Sequence, residues 1–88
     1  MYFMNPQPSL KSYRLEGHVL SSSQQRNILT CMQLCLANPD CASFNFRTKR
    51  GNNGHVCQLN DAIYEEAQTD FNYKVDYLYF QRDSYRQH

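Results

Sequence analysis

The sequence predicts an α+β domain, a single helix packed on a β-sheet and stapled to it by disulfides. Three observations point there. Four cysteines, Cys31, Cys35, Cys41 and Cys57, lie in the middle of an 88-residue chain with the spacing Cys-x3-Cys-x5-Cys-x15-Cys. One window, from Ile28 to Ala37, repeats its apolar residues at helical intervals. Elsewhere the apolar residues alternate with polar ones, and they are strand formers: 7 Tyr and 5 Phe against 3 Gly and no Trp.

A chain of this size is one domain and removes only about 60% of its unfolded surface from water, so cross-links matter to its stability. Residues 1–11, with Asn5-Pro6-Gln7-Pro8-Ser9, read as a loose lead-in, because each proline lacks a donor and restricts the residue before it. The folded unit is expected over 12–80, with a polar tail at 81–88. A first strand is expected from Ser12 to Leu20, extended throughout or bending at Gly17, followed by a loop over Ser21-Ser22-Ser23-Gln24-Gln25.

Asn27 is a suitable N-cap for the helix, which places Ile28, Cys31, Met32 and Cys35 along one face. Asn38 suits a left-handed C-terminal residue, and Pro39 ends the helix within ten or eleven residues. Next, Ala42, Phe44 and Phe46 alternate with Ser43, Asn45 and Arg47, which puts the aromatics on one side of a strand. Thr48 to Gly54 reads as a hairpin turn with an exposed basic tip, leading into the strand His55–Asn60. Asp61 to Asp70 fits either a loop or a helical turn. The last strand is expected to run from Phe71 to Phe80, with Phe71, Tyr73, Val75, Tyr77 and Tyr79 buried and Asn72, Lys74 and Asp76 in water.

Four cysteines allow three pairings, and bridged Cα atoms must lie about 4.4–6.8 Å apart. Cys35, in the last helical turn, meets Cys41 across the Asn38-Pro39-Asp40 corner. Cys31, one turn deeper, is left to reach Cys57 on the strand beneath. On the chain-entropy model these loops stabilise by about 2.2 and about 3.5 kcal/mol respectively, without simple addition. Such bridges persist in oxidising, extracellular surroundings.

The rival reading is an intracellular interaction domain stabilised by zinc, bound by four thiolates or by three with His18 or His55. The spacing argues against it: zinc knuckles present Cys-x2-Cys pairs on tight turns, whereas here one pair is helical and the next spans a helix end. No metal and no other cofactor is expected.

These residues resemble the PAN/apple module, the extracellular domain type of plasminogen-like growth factors, coagulation zymogens and many invertebrate surface proteins. The resemblance rests on Leu15-Glu16-Gly17-His18-Val19-Leu20, Cys31-x3-Cys35, Cys41-Ala42-Ser43-Phe44-Asn45-Phe46 and Cys57-Gln58-Leu59-Asn60, and spans about Tyr13 to Phe80. It implies a twisted antiparallel sheet of about five strands under the helix, with the same nested pairing. Many apple-type members tie their terminal strands with a further bridge. This chain has no cysteines for one and resembles the two-disulfide form.

Function follows the same line. No segment brings together a nucleophile, a base and an orienting group, so no enzyme is expected. His18 reads as a structural side chain, Gly17, Gly51 and Gly54 form no phosphate loop, and Glu65-Glu66 is the only adjacent acidic pair. Net charge is +1, which marks no nucleic-acid binder, and the tyrosines fit a core better than a base-stacking sheet. The charge is unevenly spread: Lys11, Arg14, Arg26, Arg47, Lys49 and Arg50 against Glu16 and Asp40 give +4 over residues 1–60, and the remainder carries −3.

The longest nearly apolar stretch, Ile28 to Ala37, is about half of the roughly 20 residues a membrane span needs. The start has no basic region followed by an apolar one, so a secretion signal is expected to lie outside this sequence or to have been removed. The expectation is a non-catalytic recognition module of a secreted or cell-surface protein, binding protein or carbohydrate. Arg47, Lys49 and Arg50, with Lys11 or Arg14, form the candidate patch for a sulfated glycan.

Overall fold

A computed structural model describes residues 3–4 and 12–82. In chain order the elements are β1 (Phe3–Met4), β2 (Tyr13–Leu15), β3 (Val19–Gln25), α1 (Ile28–Ala37), β4 (Ser43–Arg47), β5 (His55–Asn60), two single-turn 3-10 helices (Tyr64–Glu66 and Gln68–Asp70), β6 (Phe71–Tyr73) and β7 (Tyr77–Arg82). They form a five-stranded antiparallel sheet in the order β1-β7-β4-β5-β3 and a two-stranded antiparallel ribbon of β2 and β6.

The helix covers one face of the sheet, burying Cys31 and Cys35 against Phe44, Phe46, Cys57 and Leu59. The β2–β6 ribbon and the 3-10 turns cover the other face, where Leu15, Ala62, Ala67, Phe71 and Tyr79 form a second apolar cluster. The central strand β4 is therefore buried on both sides, Ser43 and Asn45 as fully as Phe44.

Local chemistry sets the helix ends. Asn27 is extended, and its Oδ1 accepts the Thr30 amide at 3.0 Å while the Thr30 hydroxyl donates to the Asn27 carbonyl. At the other end Asn38 does not take the expected left-handed conformation. It is extended at φ −103°, ψ 110°, as its position before Pro39 favours. Its amide still donates to the Cys35 carbonyl, and its Oδ1 accepts the Asp40 amide at 2.9 Å.

Three further expectations are corrected. The first strand does not run to Leu20 but ends at Leu15: of the two courses expected, the chain takes the bend at Gly17, which has φ +81°, and resumes as a separate strand at Val19. The serine-rich segment is not a loop but most of β3, paired with β5 from Ser21↔Leu59 to Gln25↔His55. Backbone pairing at a sheet edge needs no apolar side chains, so hydropathy alone misses it. The last strand is interrupted at Lys74–Asp76, where Asp76 takes φ +71° and the chain passes from the ribbon into the main sheet. Asp tolerates that conformation. The break leaves Tyr73 65% and Val75 57% exposed, while Phe71, Tyr77 and Tyr79 are buried as expected.

The strand also continues past Phe80. Phe3 and Met4 pair with Arg82 and Gln81, and Gln81 is only 4% exposed.

Candidate functional site

The bridges are Cys31–Cys57 and Cys35–Cys41, with Cα separations of 5.6 and 5.2 Å. All four cysteines are fully buried. Sulfur committed to a bridge is not a thiolate ligand, so the tetrahedral zinc site considered from sequence has no cysteine donors here.

His18 joins the β2–β3 bend to the acidic segment. Its Nε2 lies 2.8 Å from Asp70 Oδ2 and its Nδ1 3.8 Å from Asp61 Oδ1, and backbone bonds run alongside from Glu16 to Asp70 and from Asp61 to His18. The ring serves as a clasp between two chain segments. His55 is half-buried, stacked on Phe46 with its Nδ1 3.0 Å from the Arg47 carbonyl.

The basic residues gather at one end of the sheet. Arg47 ends β4 directly opposite Tyr77 on β7, and the guanidinium carbon of Arg14 lies 4.9 Å from the centroid of the same Tyr77 ring. Two arginines 33 positions apart are thus gathered around one buried tyrosine. Lys49 and Arg50 follow Arg47 in the exposed turn, which closes through the Gly51–Gly54 bridge.

Two contacts support this end. The Thr48 amide and hydroxyl both donate to the Asp76 carbonyl, at 2.6 and 3.0 Å, tying the β4–β5 hairpin to the β6–β7 turn. That turn carries Lys74, an exposed base the sequence reading did not assign to the patch. Gly54 has φ +123°, and a Cβ there would come within 2.7 Å of the Gln25 carbonyl oxygen, so the far side of the hairpin is seated closely against the end of β3. Glu16 offsets part of the charge by pairing with Arg14 at 3.1 Å. Lys11, the fifth candidate, lies outside the described residues.

Tyr77 and Lys74 escaped sequence reasoning because their role depends on where the last strand breaks. Only the tolerance of Asp76 for positive φ hints at that break.

A separate apolar groove of about 220 Å³ opens between α1 and the sheet, lined by Phe3, Ile28, Leu29, Met32, Phe44 and Phe80. Among the described residues no helix is long and apolar enough to cross a membrane.

On the far face a partly buried polar network adjoins the second cluster. The Tyr64 amide donates to the Tyr79 hydroxyl at 2.8 Å, the Tyr79 hydroxyl donates to Gln81 Oε1 at 2.8 Å, and Gln81 Nε2 donates to Glu65 at 3.1 Å. Burial pushes the Tyr79 phenol well above the usual tyrosine value.

No curated protein and no solved structure matches the chain. A family model does: the PAN domain is matched over residues 9–85, a span that includes the helix, both bridges and all strands but β1. PAN domains are modules that mediate protein or carbohydrate interactions and are generally non-catalytic. The chain belongs to the PAN-domain family.

Proposed function

We propose that this domain is a non-catalytic extracellular recognition module whose basic end binds a polyanionic carbohydrate such as a sulfated glycosaminoglycan. The observation that carries the reading is the meeting of Arg14 and Arg47 around Tyr77, with Lys49 and Arg50 in the adjoining turn. A guanidinium presents paired N–H donors that two oxygens of a sulfate can accept together, and the two arginines held on paired strands are better ordered than charges scattered along a loop. An extracellular setting agrees with the two buried bridges.

The test is a glycan array probed at low and high salt with the native chain and with Arg47, Lys49 and Arg50 changed together to Ala. Sulfated glycans are expected to be retained at low salt, released as salt rises, and lost in the variant. Retention unchanged in the triple variant overturns the reading.

A further inference from the structure

β3 forms one edge of the main sheet and, among the described residues, hydrogen-bonds only to β5. The opposite edge is the two-residue β1. Exposed edges are ordinarily shielded by lysine, proline, inward charges or shortness, because a row of free amides and carbonyls recruits another strand. β3 has seven residues, Val-Leu-Ser-Ser-Ser-Gln-Gln, with no charge and no proline. Its one irregularity lies between Val19 and Ser21, which leaves Ser21–Gln25 regular.

We propose that β3 pairs with β3 of a second copy of this chain, antiparallel about a two-fold axis at Ser22, joining the two sheets edge to edge. Alternate residues of a strand turn their backbone groups outward. With Ser22 facing Ser22, outward-turned residues meet outward-turned residues across Ser21–Ser23, and beyond them the ends bring only glutamine, leucine and valine together.

Charge selects a second copy over an unrelated peptide. The Gln25 end of β3 is basic: Arg26 follows it, exposed and without an ion-pair partner among the described residues, and the hairpin bearing Lys49 and Arg50 sits against Gln25. The Val19 end is acidic, with Asp61, its side chain 53% exposed, beside His18. In this register the Arg26 end of each copy lies beside the His18 end of the other. Arg26 therefore meets the partner's acidic end twice, once at each end of the joint. A strand positive at one end and negative at the other complements itself only in this antiparallel arrangement. The inference does not rest on the glycan reading.

Sedimentation velocity of the disulfide-closed chain from about 1 to about 300 µM tests it. The native chain is expected to shift from monomer to dimer. Ser22→Lys, which sets like charges across the axis at an exposed position, is expected to stay monomeric. Arg26→Asp is expected to weaken association at least about tenfold, and Arg26→Asp combined with Asp61→Arg to recover most of it. Circular dichroism and bridge mapping establish that each variant is folded. A native chain monomeric throughout, a dimer indifferent to Ser22→Lys, or a charge swap no better than Arg26→Asp alone overturns the proposal.

Discussion

The guanidinium of Arg82, at the end of β7, closes the C-terminal end of α1: its Nη2 donates to the Cys35 carbonyl at 2.7 Å and to the Asn38 carbonyl at 3.2 Å. Its Nε donates to the Cys41 carbonyl at 2.7 Å. One side chain thereby satisfies carbonyls on both sides of the Cys35–Cys41 corner and places a positive charge at the negative end of the helix dipole.

Replacing Arg82 with Met removes these charge-assisted bonds while keeping much of the stem. A loss of about 2 kcal/mol is expected in chemical denaturation, with Arg82→Lys recovering part of it.

Asn45 holds the two layers together. Its Oδ1 accepts the Leu15 amide at 3.0 Å and its Nδ2 donates to the Leu15 carbonyl at 2.8 Å, so the side chain acts as a one-residue strand partner for β2. Both residues are fully buried. Asn45→Ala leaves that amide and carbonyl unsatisfied and is expected to cost about 3 kcal/mol. Hydrogen exchange should show protection lost at Leu15 before the β4–β5 ladder opens.

Gly54 is required by both conformation and space. Gly54→Ala would combine φ +123° with a Cβ 2.7 Å from backbone oxygen, and about 1–3 kcal/mol of destabilisation is expected in thermal melts. The variant should also weaken any glycan affinity of the basic turn, since the turn's seating against β3 would be displaced.

Tyr79 sets an alkaline limit. Because burial raises its phenol above the value of about 10 expected in the unfolded chain, the folded protein retains a proton that the unfolded chain would release. The associated stability is full below pH about 10 and declines as pH rises toward the folded-state value. Urea titrations from pH about 8 to about 11 should show that decline, and Tyr79→Phe should flatten it while removing about 1 kcal/mol at neutral pH through its lost hydrogen bonds.

The helix and both bridges were legible in the sequence because their signals are local: Asn27 caps, Pro39 stops, and a separation of six positions between Cys35 and Cys41 leaves little choice of partner. β3 was not, because an edge strand of serine and glutamine carries no apolar alternation. Nor was the second apolar cluster. Burial of Ser43 and Asn45 depends on the ribbon that covers them, and that ribbon exists only because Asp76 lets the last strand turn. The basic patch was half legible: Arg47, Lys49 and Arg50 are neighbours in sequence, whereas Arg14 reaches them through Tyr77, a contact no spacing reveals.

The pairing of Phe3 with Arg82 carries one more consequence. Polypeptide entering at Phe3 and leaving at Arg82 does so at adjacent points, about 5 Å apart across the ladder. The arginine-bearing hairpin lies at the other end of β4, a strand length of about 17 Å away. An attachment made at that shared doorway leaves the cationic tip turned away from it, at the far end of the sheet.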